Sequence, residues 1–258
     1  IGMCGAVPQI VPLKEEDGFR YNVENLRNAV TDKTKLLLIN SPSNPTGSVT
    51  DEKTLREIAE LCVEKDLYLL TDEVYQEFLY GDAKYFSIAT CPGMRERTVI
   101  VDSFSKTYAM TGWRCGFALG PSEIIGDMVK IQENVVSCVN TPTQYAALAA
   151  LNGPDETLQI MSRVYGENRR LIMKEIGTMP GLSMVTPEGA FYAFVNIRQT
   201  GMTSEEFAVK LLKEARVVVV PGSAFGAAGE GFVRISYVCS PEDMAEGLRR
   251  IRKFMESL

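Results

Sequence analysis

The chain has 258 residues, 45% of them hydrophobic and 23% charged, enough to bury a full core and to form one large or two unequal domains. A formal net charge of -6 without any Lys/Arg cluster excludes the electrostatic footprint of a nucleic-acid binder. The absence of histidine excludes His-based triads, His general bases and the usual zinc ligand sets, leaving Lys, Tyr, Cys or carboxylates to move protons and no metal site expected.

Taken in order, Gln9-Ile10-Val11 reads as a strand inside a sheet, so the chain looks as though it starts mid-domain. Leu36 to Ile39 is an apolar strand. Asp51 to Glu64 is an amphipathic helix whose apolar positions are Leu55, Ile58, Ala59 and Cys62, with Thr50-Asp51-Glu52 supplying a cap and first-turn acid. Strands follow at Leu67 to Leu70 and Thr98 to Val101, the rhythm of a mostly parallel sheet with helices on its faces. Arg114 to Leu119 reads as another strand, Ser122 to Val136 as a helix opened by a Pro-Ser cap, and Thr143 to Leu151 as a helix of small residues.

A long helical pattern then runs from Pro154 to Gly177, where Gly177 and Pro180-Gly181 stop it. Beyond it come strands at Ala190 to Ile197, Val217 to Val220 and Phe232 to Tyr237, with helices over Ser204 to Ala215 and Pro241 to Met255. The expected architecture is α/β: a large domain over residues 1–153, a joining helix over 154–177 and a smaller α+β domain over 178–258. No apolar run approaches the roughly 18 residues of a membrane span, and no signal-peptide pattern opens the chain, so a cytoplasmic protein without a membrane partner is expected. Cys4, Cys62, Cys91, Cys115, Cys138 and Cys239 form no CxxC pair and read as reduced thiols.

Four segments carry chemistry. Ser41-Pro42-Ser43-Asn44-Pro45-Thr46-Gly47 follows a strand closely, where open α/β sheets place ligand contacts, although a simple Pro-Gly turn reads the same way. Thr71-Asp72-Glu73-Val74-Tyr75 puts a carboxylate at a strand end, placed to accept a hydrogen bond from a protonated ring nitrogen or merely to cap a helix; Glu73 and Glu77 read as solvated acids. Ser103-Phe104-Ser105-Lys106 through Trp113-Arg114 places a lysine beside hydroxyls and a fixed cation. An amine becomes nucleophilic when burial and cationic neighbours lower its pKa, and a phosphate ester needs such hydroxyls and guanidinium, but a surface lysine paired loosely with Arg114 is the plain alternative. Trp113 reads as packing. Finally, Arg234 in the alternating strand Phe232 to Tyr237 has a fork suited to a substrate carboxylate, or is a structural arginine on an open face.

Together and in this order, these segments resemble fold type I pyridoxal-phosphate enzymes, specifically the class I/II aminotransferases related to aspartate and aromatic aminotransferases. The likeness covers almost the whole chain, with SFSKTYAMTGWRCGF as its most specific stretch. The resemblance implies an α/β/α large domain and a small C-terminal domain, pyridoxal 5'-phosphate as cofactor, and an enzyme exchanging an amino group between an aspartate-type or aromatic L-amino acid and a 2-oxo acid such as 2-oxoglutarate. It implies that Lys106 is the Schiff-base lysine and proton shuttle, that Asp72 holds the pyridinium proton, and that Asn44 and Tyr75 bind the phenolic O3′. Ser103 and Arg114 match phosphate ligands, with Ser105 beside them, and Arg234 matches the clamp for the substrate α-carboxylate, with Asn44 adjoining it. A homodimer is implied as well.

Relatives carry a further stretch before the position aligned with Ile1, which supplies part of the phosphate cradle and a ring-stacking aromatic. The chain therefore reads as a fragment expected to bind the cofactor weakly or not at all. The same lysine and aspartate also serve cofactor-dependent lyases, such as cysteine-sulfur lyases, and decarboxylases. A transcriptional regulator with an aminotransferase-like effector domain is a further alternative.

Overall fold

The computed structural model describes residues 1–258. After a short opening stretch come helix α1 (Val23–Ala29), strand β1 (Leu36–Asn40), α2 (Glu52–Glu64), β2 (Tyr68–Asp72), β3 (Thr98–Ser103), the single turn α3 (Phe104–Thr107), β4 (Gly116–Leu119), α4 (Ser122–Val135), α5 (Thr141–Asn152) and α6 (Glu156–Ile176). The C-terminal part adds β5 (Ser183–Met184), β6 (Tyr192–Asn196), α7 (Ser204–Ala215), β7 (Val220–Pro221), β8 (Phe232–Ser236) and α8 (Pro241–Met255). They form two four-stranded sheets, ordered β1-β2-β3-β4 and β5-β6-β8-β7.

In the first sheet β1, β2 and β3 run parallel and β4 closes the edge antiparallel. Parallel neighbours need a crossover, and α2 supplies it between β1 and β2. Its capping residue is Asp51, whose side chain accepts the Thr54 N–H, as its acid-rich start led one to expect. Leu55, Ile58, Ala59, Leu61 and Cys62 turn inward against Ile39, Leu67 and Leu69, and burial of each large aliphatic side chain contributes about 2 kcal/mol. The opposite face, which carries Leu36, Leu38 and Tyr68, is left about half exposed.

The second sheet is antiparallel throughout. Strand alternation divides β6 and β8 cleanly. Ala193, Val195, Val233 and Ile235 enter a core shared with Ile172, Phe207, Leu211, Leu248 and Phe254 from α6, α7 and α8, while Tyr192, Phe194 and Arg234 line the other face. Tyr75 and Phe78, which follow β2, belong to that same core, so the two sheets are joined by packed side chains.

Several expectations are corrected. Gln9-Ile10-Val11 forms no strand; it makes no backbone hydrogen bond, and Gln9 and Ile10 are exposed. Of Val217 to Val220 only Val220, with Pro221, pairs with β8, because Arg216 ends α7 in a left-handed conformation and the chain rejoins the sheet late. Ser122 does not cap α4: it is the first helical residue, and the preceding Pro121 offers no side-chain acceptor. Helix α5 begins two residues earlier than expected, at Thr141, because the Asn140 side chain accepts the Thr143 N–H and Pro142 fits the first turn. Helix α1, capped by Asn22, was not anticipated. Of the cysteines only Cys62 and Cys91 are buried, and all six are free.

Candidate active site

The carboxyl ends of β1, β2 and β3 point toward the Arg234 face of the second sheet, and two glycines let them meet. A Cβ on Gly47, which sits at φ 70°, would lie 2.6 Å from Pro187 Cβ and 2.8 Å from the Tyr192 carbonyl; one on Gly189 would lie 2.6 Å from Pro42 Cβ. All three distances are shorter than real Cβ atoms adopt. The Gly47 carbonyl accepts the N–H groups of Glu188 and Gly189 at 2.8 and 2.9 Å, which fixes the Ser41 to Gly47 loop against the entry to β6.

That docking carries Asn44 to Arg234. The guanidinium donates to Asn44 Oδ1 at 2.7 Å across 190 residues of sequence. Asn40, at the end of β1, holds the loop from beneath: its Oδ1 accepts the Asn44 N–H at 2.8 Å and its Nδ2 donates to the Asp72 carbonyl at 3.1 Å. Arg234 has no carboxylate partner, and its Nε is buried without an acceptor. Its charge is held instead between rings, 4.3 Å from the Tyr192 centroid and 4.9 Å from that of Phe225. A buried guanidinium edge lacking an acceptor is a site prepared for an anion.

Asp72 ends β2, half-buried, with Oδ1 accepting the Val74 N–H at 3.2 Å. Burial raises its pKa above the ordinary value, against that hydrogen bond. The turn that follows buries Tyr75, whose hydroxyl lies 2.9 Å from that of Tyr192. Burial first, and the Tyr192 hydrogen bond second, keep the Tyr75 phenol protonated far above its usual range.

Lys106 lies in α3, at the end of β3. Its Nζ stands 5.8 Å from the Phe191 ring centroid, and that ring meets Tyr75 edge-on at 5.1 Å. No carboxylate pairs with it. Burial, then the charges of Arg234 and Arg114, lower its pKa. Burial and cationic neighbours are the conditions that favour the neutral, nucleophilic amine. Ser103 caps α3, accepting the Ser105 N–H at 3.1 Å, and its Oγ lies 2.8 Å from Ser105 Oγ and 2.9 Å from the Cys115 carbonyl. Arg114 takes a left-handed backbone conformation at φ 54° and donates to the Thr111 carbonyl at 2.8 Å, its guanidinium exposed. It lines an open cavity of about 750 Å³ together with Trp113, Gln132, Val136 and Asn140. Trp113 is half exposed there, which corrects its reading as a packing residue.

Glu73 is the largest departure from the sequence reading. Glu77 is exposed as expected, but Glu73 is only 3% exposed, accepting hydrogen bonds from Tyr85, from Thr71 at 3.1 Å and from Ser87 at 3.3 Å. Strand alternation puts it opposite Asp72, pointing into the interior, a consequence that the acid-rich local sequence concealed. Burial raises its pKa despite those donors. The folded protein thus holds this proton to higher pH than the unfolded chain does. The group's stabilising contribution is complete below its ordinary value of 4.5 and is lost as pH rises through the folded value. Measured by urea unfolding, the wild type should therefore lose stability relative to Glu73→Gln as pH is raised from 4.5; a constant difference would contradict this.

Asn40 was not singled out in the sequence, nor was Asp102, which accepts from Gln76 Nε2 at 2.8 Å and ties the turn to β3; Tyr192 belongs to the Gly189 to Tyr192 stretch, which resembles the family's strand along the substrate pocket but reads equally well as packing. An amide at a strand end just before a Ser-Pro loop was the available signal for Asn40.

A lysine of lowered pKa, an acid at a neighbouring strand end and an arginine without a carboxylate partner thus lie at the strand ends and sheet face that the glycine contacts bring together. The chain belongs to the aminotransferase class I and II family, whose model matches residues 1–251. It is 50% identical over 255 residues to the aspartate aminotransferase of Pyrococcus abyssi and 47% identical over 256 residues to aromatic-amino-acid aminotransferase 2 of Thermococcus litoralis. These alignments cover 98% of this chain but 65 and 66% of the relatives, so the chain spans about two thirds of their length. The crystal structure of the aromatic aminotransferase from Pyrococcus horikoshii superposes with a TM-score of 0.93 at 51% identity, covering 96% of this chain and 66% of that one. The family uses pyridoxal phosphate.

Proposed function

We propose that the chain carries the site of a pyridoxal-phosphate-dependent aminotransferase that exchanges the amino group of an aspartate-type or aromatic L-amino acid with a 2-oxo acid such as 2-oxoglutarate. The observation that carries the reading is the Asn44–Arg234 contact, which joins a guanidinium that has no carboxylate partner, its Nε without any acceptor, to the loop that follows β1. The donor set suits the cofactor: an unpaired amine of lowered pKa for its aldehyde, Asp72 for its ring nitrogen, Asn44 and Tyr75 for its phenolic oxygen, and Ser103, Ser105 and Arg114 for its phosphate. When bound, pyridoxal phosphate supplies an aldehyde that takes up the amino group and a ring that withdraws electrons from Cα.

The protein's own residues do the rest. Arg234 fixes the α-carboxylate, which orients Cα toward Lys106. Lys106 takes the proton from Cα as a general base and returns it, a role its lowered pKa favours. Asp72 keeps a proton on the ring nitrogen, and its half-buried setting strengthens that charge pair. Division of the chain into a cofactor-binding part over 1–153, a joining helix and a small domain over 178–258 belongs to this reading, as does a homodimer.

A half-reaction tests it. Aspartate or phenylalanine added to the cofactor-loaded protein should bleach the visible band and release the matching 2-oxo acid stoichiometrically, and 2-oxoglutarate should restore the band. Continuous release of ammonia without bleaching would instead indicate lyase chemistry.

A further inference from the structure

Asn40 ends β1, the edge strand of the first sheet, and its backbone N–H and carbonyl point away from β2, where no strand lies beside them. The Tyr21 hydroxyl takes the place of that missing strand. It accepts the Asn40 N–H at 2.9 Å and donates to the Asn40 carbonyl at 3.4 Å. Burial pushes the Tyr21 phenol up to about 12, so it keeps the proton it donates. Tyr21 is placed in turn by the second sheet: Phe19, just before it, packs edge-on against Phe194 and Phe232 at 5.7 and 5.5 Å, and Arg20 pairs with Glu188 at 2.7 Å.

The Asn40 side chain reaches both strand-end loops with opposite polarity. Its Oδ1 accepts the Asn44 N–H at 2.8 Å, and its Nδ2 donates to the Asp72 carbonyl at 3.1 Å. The partners fix which way round the amide lies, because a backbone N–H can only donate and a carbonyl can only accept. The Asn44 N–H has no other acceptor, whereas the Asp72 carbonyl also takes the Ser41 N–H at 3.2 Å.

We propose that Asn40, held by Tyr21, is a positioning residue that keeps Asn44 and Asp72 at the one separation at which a single pyridine ring meets both, Asn44 at its phenolic oxygen and Asp72 at its nitrogen. The role rests on the aminotransferase reading of the site. A ring is rigid, so its oxygen and nitrogen lie a fixed distance apart, and a partner free to drift satisfies one contact at the expense of the other. One amide bonded to both loops removes that freedom. Alanine at position 40 releases the Asn44 N–H and one of the two donors to the Asp72 carbonyl, so both ring contacts loosen together.

The test begins on the unloaded protein. In Asn40→Ala the Asn44 amide should exchange its hydrogen roughly tenfold faster than in the wild type. Affinity is then read with 4-deoxypyridoxine 5'-phosphate, which lacks the aldehyde and so reports ring contacts without the bond to Lys106. It should fall by roughly tenfold in Asn40→Ala. Inorganic phosphate, which meets only the Ser103, Ser105 and Arg114 side, should bind within about twofold of the wild type. Tyr21→Phe should lose affinity for the ring compound in the same direction by a smaller factor, and should add little on top of Asn40→Ala, as expected of two residues acting through one contact. It also reads the role if the alanine variant does not fold. An unaltered affinity for the ring compound, or an equal loss for inorganic phosphate, overturns the positioning role. A wild-type protein with no Lys106-dependent band in pyridoxal phosphate overturns the aminotransferase reading and the role together, whereas a normal band beside an unaltered Asn40→Ala affinity overturns the role alone.

Discussion

Lys106→Ala is expected to abolish the visible band that the wild-type chain develops with added pyridoxal phosphate, and to lower amino transfer by roughly a thousandfold or more. The size of the effect comes from two losses at one position. Alanine removes the amine that anchors the cofactor covalently and the base that moves the Cα proton, and no neighbour replaces either. Tyr75 holds its proton too tightly to act as a base, and Asp72 faces the ring nitrogen in the proposed arrangement. Cofactor affinity itself is expected to be weak, because Arg114 lies exposed at an open cavity and the Ser103 and Ser105 hydroxyls are bonded to each other. Absorption spectroscopy checks both statements. A band that survives in Lys106→Ala would remove the lysine assignment, and a strong wild-type band at stoichiometric cofactor would remove the expectation of weak binding.

Arg234→Gln is the second large effect, a loss of about 3 kcal/mol, or roughly a hundredfold, in kcat/KM. Every amino-acid donor should suffer alike, since the α-carboxylate is common to all of them; a variant that loses one donor and keeps another would contradict the clamp. Arg234→Lys should recover little, because an ammonium cannot offer the planar fork that two carboxylate oxygens need. A side effect separates this from simple misfolding. Arg234 is among the charges that lower the Lys106 pKa, so the variant's lysine should hold its proton to higher pH.

The fold was legible where its determinants are local. Asp51 to Glu64, Ser204 to Ala215 and Pro241 to Met255 announce themselves through caps and a repeating apolar stripe, and each is a helix over those bounds to within a residue. The strands β1, β2 and β3 were legible for the same reason. What failed depended on neighbours distant in sequence. Gln9-Ile10-Val11 has strand composition but nothing to pair with, and Val217 to Val219 have it on a segment that does not reach the sheet. Among the site residues, Lys106, Asp72 and Arg234 stood out as charged side chains at strand ends or within an apolar strand. Tyr192 stayed ambiguous between pocket border and strand packing, because a tyrosine in an apolar strand looks like core until its hydroxyl partner, 117 residues away, is known. Glu73 was misread because its three hydroxyl donors come from Thr71, Tyr85 and Ser87, two of them beyond the local turn.

The glycine seam between Gly47 and Gly189 has a thermodynamic side. The two sheets each have a core, but the site exists only once the seam closes, since Asn44 belongs to one half and Arg234 to the other. A ligand that bridges them binds only molecules in which both halves are folded and docked. Its binding free energy is therefore added to the stability of the pair and not to either half alone. Occupancy of the site would merge two unfolding events into one, and the sharpness of the melting transition becomes a measure of how fully the seam is bridged.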